Sequence, residues 1–156
     1  MNKRLKELCI ALYNLKNGLF WKPKDVKFQQ LGRDIKYSHV RVKSRGIGNR
    51  ITIGNGTRLK NVIFTIHGNY NEIIIENNCS LTDTTFTVEE NTNVIWIKRG
   101  STTTGGVFIS AIEGSRVIVG EDGMISRDIY IASGDGHGVV DSTGRRTNYS
   151  EDILIG

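Results

Sequence analysis

The sequence predicts an all-β fold, a parallel solenoid preceded by one short helix, and three observations lead to this prediction. From about Val40 onward, short alternating runs of Ile, Val, Thr and Phe are separated by Asn, Gly, Asp and Ser, as is typical of strands and turns. These runs recur with a period of 22 residues. Only one segment, near the N-terminus, has the spacing of an amphipathic helix. The 156 residues are enough for one domain with its own core.

The first predicted element is a short amphipathic helix that ends at Asn17-Gly18, a helix stop signal. Its apolar positions recur at helical spacing: Leu5, Leu8, Leu12 and Leu15. This part of the chain is basic, since residues 1–50 contain 13 Lys or Arg and only 3 Asp or Glu. We expect residues 1–45 to form a basic helical cap over the open edge of the solenoid, which then occupies residues 46–156.

The strands that follow are predicted from three columns of repeating residues. The first column comprises four segments that begin with Asn or Ser: 49–54, 71–76, 93–98 and 115–120. The second column contains Phe64, Phe86, Phe108 and Tyr130, and the third contains Leu59 and Leu81. Stacked coils of this size bury Ile over Ile and Phe over Phe and pair their strands in parallel. The Asn and Gly residues at the recurring corners are suited to positive φ.

A leucine-rich repeat is the main alternative architecture, because its period is similar. That repeat requires L-x-x-L-x-L followed closely by Asn, with leucine dominant. In this sequence β-branched residues dominate and the asparagines lie elsewhere. The composition of the repeat therefore favours the β-solenoid.

The spacing changes after Val119. Ile129–Ile131 follows 12 positions later, and Ile153–Ile155 follows after another 24. The 36 residues from Val119 to Ile155 correspond to two coils of 18, or six hexapeptides. We therefore expect two shorter, triangular coils and then the opening of a further coil at the C-terminus.

Charge and cysteine usage limit the classes of partner. The net charge is +5, but the basic region lacks the arginine-aromatic interleaving, zinc-finger spacing or recognition helix of nucleic-acid-binding proteins. Nucleic acid is therefore not predicted as a partner, whereas an anionic membrane surface or polysaccharide remains compatible with the charge. Cys9 and Cys79 have neither disulfide-framework nor zinc-site spacing, and they suit a reducing cytosol.

Targeting signals are not apparent near the N-terminus. The longest uncharged apolar run there, Cys9–Tyr13, is too short for a membrane span or a secretory segment. We expect a cytoplasmic protein without a membrane span.

The segment Ser133–Asp141, S-G-D-G-H-G-V-V-D, places His137 among three glycines. His137 follows Ser115 by 22 positions, so the repeat predicts that it occupies the corner held by Asn49, Asn71 and Asn93 in earlier coils. A corner imidazole can act as a base near neutral pH. The alternative interpretation is a hydrogen-bonded turn histidine.

Residues 46–156 resemble the hexapeptide-repeat acyltransferases. The resemblance rests on R-V-I-V-G-E-D-G-M-I-S-R-D-I-Y-I-A-S-G-D-G-H, on V-V-D-S-T-G-R-R-T-N and on D-I-L-I-G. These runs are most similar to bacterial O-acetyltransferases of capsule, O-antigen and other surface-polysaccharide synthesis. The resemblance implies a left-handed parallel β-helix, acetyl-CoA as cosubstrate without a required metal, a sugar or polysaccharide acceptor, and a homotrimer with active sites between subunits. Relatives continue past I-L-I-G with further coils, so the implied solenoid is short at its C-terminal end.

The resemblance also implies roles for individual residues. His137 corresponds to the catalytic base of the family, and Glu113 to the substrate-binding acid of galactoside-type relatives. Asp135 is a candidate to fix the imidazole tautomer or to hold a substrate hydroxyl. The glycines flanking His137, Gly134, Gly136 and Gly138, allow backbone N–H groups to approach an oxyanion. The plain alternatives are a turn aspartate for Asp135 and a solvated edge residue for Glu113.

Two functions of other classes remain as alternatives. One is a catalytically silent trimeric β-solenoid with a scaffolding or carbohydrate-binding role. The other is a polyanion-binding module driven by the basic N-terminal segment.

Overall fold

A computed structural model of the protein describes residues 3–18 and 23–156. Helix α1 spans Lys3–Asn17 and precedes strands β1 to β16. The strands in chain order are β1 Val26–Leu31, β2 Lys36–Ser38, β3 Arg41–Arg45, β4 Asn49–Gly54, β5 Arg58–Lys60, β6 Ile63–His67, β7 Glu72–Ile75, β8 Ser80–Thr82, β9 Thr84–Glu89, β10 Val94–Ile97, β11 Thr102–Thr103, β12 Val107–Ile112, β13 Arg116–Val119, β14 Met124–Ile125, β15 Tyr130–Ala132 and β16 Ile153–Ile155.

Consecutive strands lie in three different parallel sheets, because each coil adds one strand to each face of a prism. One sheet has six strands in the order β1-β4-β7-β10-β13-β16. The other two have five strands each, β2-β5-β8-β11-β14 and β3-β6-β9-β12-β15. The architecture is a left-handed parallel β-helix with a short N-terminal helical cap, as predicted, and it excludes the leucine-rich repeat.

The isoleucine column and the leucine column lie in the core as predicted, and so does the first part of the phenylalanine column. Ile73 and Ile95 pair in register and are fully buried, and Leu59 pairs with Leu81 in the next coil. Phe64 stacks on Phe86 with 5.4 Å between ring centroids and an interplanar angle of 11°. Each coil therefore buries its apolar side chains against those of its neighbours.

The predicted phenylalanine column is wrong beyond Phe86. Phe86 pairs with Ile109, and Phe108 instead stacks outside the core on Tyr130, with 4.9 Å between ring centroids. Because side chains alternate between the two faces of a strand, this one-residue shift of β12 turns Phe108 outward.

Two corner changes that cancel produce the shift. Ser80 pairs with Thr102 at the usual 22-residue step, whereas Thr84 pairs with Val107, one residue further along. The additional residue therefore lies in the corner that contains Gly105-Gly106. The next corner is one residue shorter, because Val94 and Arg116 are again 22 residues apart. Because the added and the missing residue cancel, the 22-residue period of the sequence shows neither change.

The corner asparagines form a buried ladder instead of adopting positive φ. The Asn71 N–H donates to Asn49 Oδ1 (3.0 Å) and the Asn93 N–H donates to Asn71 Oδ1 (2.9 Å). The prediction of positive φ is wrong for these three residues. It is correct for other corner residues, including Asn61 (φ 53°) and Asn78 (φ 61°).

The prediction of two 18-residue coils after Val119 is wrong. Val117 pairs directly with Ile153 and Val119 with Ile155, so β13 and β16 are neighbours. The intervening residues make one coil with a long loop inserted after β15. His137 lies in that loop and does not occupy the asparagine corner.

Helix α1 caps the first coil of the solenoid. This coil begins at Val26, so the solenoid starts before residue 46, the boundary predicted from the sequence. The Asn14 side chain substitutes for a neighbouring strand: its Nδ2 donates to the Ile35 carbonyl (2.7 Å) and its Oδ1 accepts from the Tyr37 N–H (2.9 Å). This pairing satisfies backbone groups at the open edge of β2. Within the described residues, no helix is long and apolar enough to cross a membrane.

Candidate active site

The histidine loop, residues 134–150, leaves the solenoid at the buried residue Ser133. The Ser133 hydroxyl accepts from the Ile112 N–H (3.0 Å) and lies 2.6 Å from the Ser115 hydroxyl oxygen. The loop closes where the Glu151 N–H donates to the Ser133 carbonyl (3.1 Å). Ser133 therefore fixes both ends of the loop over the corner between β12 and β13.

Side-chain hydrogen bonds within the histidine loop hold its shape. Asp141 Oδ1 accepts from the backbone N–H groups of Thr143 (2.8 Å) and Arg145 (3.0 Å). The Thr143 hydroxyl also donates to Asp141 Oδ1 (2.6 Å), and this bond contributes most to lowering the pKa of the Asp141 carboxyl below its ordinary value. An antiparallel bridge joins Val140 to Arg146. The loop is an ordered hairpin-like excursion and not an extended linker.

Asn148 connects the two arms of the loop around His137. Its Nδ2 donates to the Asp135 carboxylate (Oδ2, 2.9 Å) and to the His137 carbonyl (2.8 Å), and its Oδ1 accepts from the Val139 N–H. The Asp135 side chain therefore contributes to loop structure through Asn148.

The His137 imidazole is exposed, and its tautomer is set by a backbone carbonyl. Nδ1 lies 3.0 Å from the carbonyl oxygen of Asp135. Because a carbonyl only accepts hydrogen bonds, Nδ1 carries the proton in the neutral ring. Nε2 is then left with a lone pair, which is the state that a general base requires. The carbonyl of Asp135, and not its carboxylate, makes this contact.

Glu113 attaches the histidine loop to the preceding coil. Its carboxylate forms an ion pair with Arg146, and its Oε2 accepts from the Ser150 N–H (3.0 Å). The bond from the Arg146 guanidinium, followed by that from Ser150, holds the pKa of the Glu113 carboxyl below its ordinary value. Glu113 is therefore a charged anchor as well as a residue that faces the site.

The three glycines beside His137 lie in different structural environments. A Cβ at Gly134 would lie 2.2 Å from the Ser150 hydroxyl oxygen, so a larger residue where the loop leaves the coil would displace the Ser150 side chain. Gly136 has φ +75°, a conformation that glycine adopts without strain. Gly138 lies beside the Arg146 side chain.

A cavity of about 250 Å³ brings most of the predicted site residues together. Its lining includes His137, Glu113, Gly136 and Gly138 from the predicted set, and also Glu89, Glu90 and Arg146. Asp135 is not among the lining residues. Sequence reasoning missed Glu89, Glu90 and Arg146, because no sequence pattern links β9, the corner after β12 and the end of the histidine loop.

This arrangement can bind and deprotonate a hydroxyl. The cavity combines an imidazole with an available lone pair, an ionised carboxylate and the backbone of two glycines, groups of the kind that acyl transfer to an alcohol uses. Among the described residues, no group of His, Cys, Asp and Glu has a metal-binding arrangement. The expectation that no metal is required stays a prediction.

The chain matches no protein-family model, and no curated protein sequence matches it. Among solved structures it is similar to the crystal structure of the polySia specific acetyltransferase NeuO, with a TM-score of 0.59 and 26% sequence identity. The match covers 72% of this chain and 62% of that chain, so this chain spans less than two thirds of the neighbour's length. The match confirms the resemblance to hexapeptide-repeat O-acetyltransferases that the sequence motifs indicate.

Proposed function

We propose that this protein is an acetyl-CoA-dependent O-acetyltransferase that modifies a sugar hydroxyl of a bacterial surface polysaccharide or its precursor. One observation carries the proposal: His137 lies in a cavity with Glu113, and its Nδ1 faces a carbonyl, which leaves Nε2 as the base. The similarity to an acetyltransferase of 26% identity supports the reaction class. The same similarity supports a polysaccharide acceptor.

His137 acts as general base in the proposed reaction. Nε2 accepts the proton of the sugar hydroxyl as its oxygen bonds to the thioester carbonyl carbon of acetyl-CoA. When the tetrahedral intermediate collapses, the carbon–sulfur bond breaks and the imidazolium returns the proton to the CoA sulfur. Backbone N–H groups at Gly136 and Gly138 stabilise the oxyanion in this proposal.

Glu113 and Asp135 support this chemistry in different ways. Each oxygen of the Glu113 carboxylate retains accepting capacity beyond its bonds to Arg146 and Ser150, so Glu113 can also receive a sugar hydroxyl. Asp135 orients the imidazole through its carbonyl, while its carboxylate holds Asn148. We therefore assign substrate binding to Glu113 and positioning of His137 to Asp135.

A homotrimer is part of the proposal, and an outward-facing apolar column supports it. Ile74, Trp96, Ile118 and Leu154 follow one another in register along the outer face of the six-stranded sheet. Leu154 is 74% exposed. Contiguous apolar surface of this kind is typical of subunit interfaces. An Ile118→Arg variant is expected to sediment as a smaller species than the wild-type protein.

The test is a thiol-release assay with acetyl-CoA and a panel of sugar and polysaccharide acceptors. His137→Gln should lower the rate by roughly 10²- to 10⁴-fold, the usual contribution of a general base. His67→Gln, at another exposed histidine, is the matched control and should leave the rate unchanged. Equal rates for wild type and His137→Gln would contradict the role of His137. If wild type transfers no acetyl group and calorimetry detects no CoA binding, the silent-solenoid alternative is correct.

A further inference from the structure

Helix α1 presents a continuous leucine face to solvent. The exposed fractions are 52% for Leu5, 56% for Leu8, 58% for Leu12 and 85% for Leu15. At about 100° per residue, these four side chains lie within an arc of roughly 80°. A helix on a globular protein usually buries its apolar face, so this orientation requires an explanation.

The opposite side of the helix makes the contacts with the solenoid. Ile10, which is buried, lies roughly 180° from the centre of the leucine face. Asn14 lies on the same side as Ile10 and bonds to Ile35 and Tyr37. Ile10 and Asn14 therefore dock the helix on the first coil without the leucines, which point away from that coil.

The leucine face is combined with positive charge. Lys3, Arg4 and Lys16 are exposed on this helix, and Lys6 forms an ion pair with Asp34. Glu7 is the only acidic residue of α1 and forms an ion pair with Arg33 (3.6 Å). At about 100° per residue, Arg4 and Lys16 flank the leucine arc on its two sides, whereas Lys3 lies on the Ile10 side. The surface around the leucines is therefore apolar at its centre and basic at its margin, which complements an anionic lipid headgroup layer.

We propose that α1 is a membrane-surface helix that binds the protein to anionic phospholipid bilayers. The leucines enter the boundary between headgroups and acyl chains, and Arg4 and Lys16 at the margin of the leucine face lie among the lipid phosphates. The helix does not span the bilayer. Because the solenoid is attached to the opposite side of α1, the coils remain in water when the leucine face is inserted. This proposal is independent of the acetyltransferase activity.

Vesicle flotation with the complete protein tests the proposal. Wild type should float with vesicles of phosphatidylcholine mixed with phosphatidylglycerol, and only weakly with phosphatidylcholine alone, because the basic margin of the leucine face is attracted to anionic headgroups. A Leu8→Gln/Leu12→Gln double variant should bind roughly tenfold or more weakly, since two leucines no longer leave water. Both positions are exposed, so circular dichroism should show an unchanged fold.

Met124→Gln is the matched control, because Met124 is 84% exposed but lies on the solenoid. It should bind mixed vesicles as well as wild type. A Lys16→Glu variant should also bind mixed vesicles less well, and added salt should weaken wild-type binding.

Three results would overturn the proposal. Unchanged vesicle binding by the leucine double variant would indicate a purely electrostatic, polyanion-type interaction. Loss of self-association in that variant, with no vesicle binding by wild type, would show that the leucines pack against a second copy of the chain. Equal binding of wild type to neutral and anionic vesicles would show that the basic margin has no role in binding.

Discussion

Glu113, at the corner after β12, forms an ion pair with Arg146 near the end of the histidine loop, and this pair attaches the candidate catalytic loop to the body of the solenoid. The Ser150 N–H donates to the same carboxylate at 3.0 Å. Sequence-distant residues therefore determine where His137 lies.

Arg146→Met should loosen the histidine loop and reduce transferase activity while leaving the coils folded. The variant removes the principal partner of Glu113, so the pKa of the Glu113 carboxyl should rise towards its ordinary value. An NMR titration of the Glu113 carboxyl carbon measures the change. In wild type, the carboxylate should stay ionised below the ordinary glutamate pKa. Its stabilising effect should be complete above that ordinary pKa and should be lost as the pH falls from there through the lowered value.

Arg145→Met, at the exposed neighbouring position, is the control for Arg146→Met. It should leave both the Glu113 titration and the transferase activity unchanged. An identical titration in wild type and Arg146→Met would show that the ion pair does not operate in solution.

Phe86→Ala and Phe108→Ala test the one-residue shift of β12. Phe86 is fully buried and stacked on Phe64, so its truncation should cost about 3–5 kcal/mol of unfolding free energy. Phe108 stacks on Tyr130 outside the core, and its loss should cost about 1 kcal/mol. Urea unfolding of the two variants measures the difference. Equal costs would mean that both rings are inside, as the simple period predicts.

Asn71→Ala tests the buried asparagine ladder. Asn71 Oδ1 accepts from the Asn93 N–H and its Nδ2 donates to the Glu90 carbonyl, both within 2.9 Å. Truncation leaves buried polar groups without partners, so we expect a loss of about 2–4 kcal/mol. Asn91→Ala, at an exposed position, should cost less than about 1 kcal/mol by the same denaturation measurement. A neutral Asn71→Ala would show that water replaces the ladder.

The Cys79 thiol provides a pH-dependent prediction. Burial raises its pKa to about 11, and its Sγ donates to the Lys98 carbonyl at 3.2 Å. The unfolded thiol ionises near pH 9, so the contribution to stability is complete below that pH and is lost as the pH rises towards 11. The Cys79→Ala variant should lose less stability than wild type over this interval. Cys9, which is exposed, should react with a thiol reagent in the folded protein, whereas Cys79 should react only after unfolding.

Much of the fold could be predicted from the sequence, because stacked coils require the same apolar residue at the same position in each coil. The column that contains Ile51, Ile73 and Ile95 and the pair Leu59 and Leu81 lie in the core. The position of Phe108 could not be predicted, because a longer corner and a shorter corner cancel in the total period. The coil count after Val119 failed because two short coils and one coil with an insertion contain the same number of residues.

The candidate site was predictable only in part. The unusual glycine-rich setting identified His137, and the family resemblance identified Glu113. Arg146 carries no local signal, since its importance comes from the way the loop folds back on the β12 corner. The leucine spacing predicted helix α1 but not that the helix docks through Ile10 and Asn14, because its packed face depends on the exposed edge of β2.

The paired change at two corners shows how such a prism can acquire new surface chemistry. A residue gained beside Gly105 and a residue lost before Ser115 shift β12 by one residue relative to β9, while β10 and β13 keep the usual 22-residue pairing. The outcome is an aromatic pair displayed on the exterior at constant chain length. Engineers could use coupled insertion and deletion in the same way, to exchange interior and exterior groups on one wall of a coil without redesigning the others.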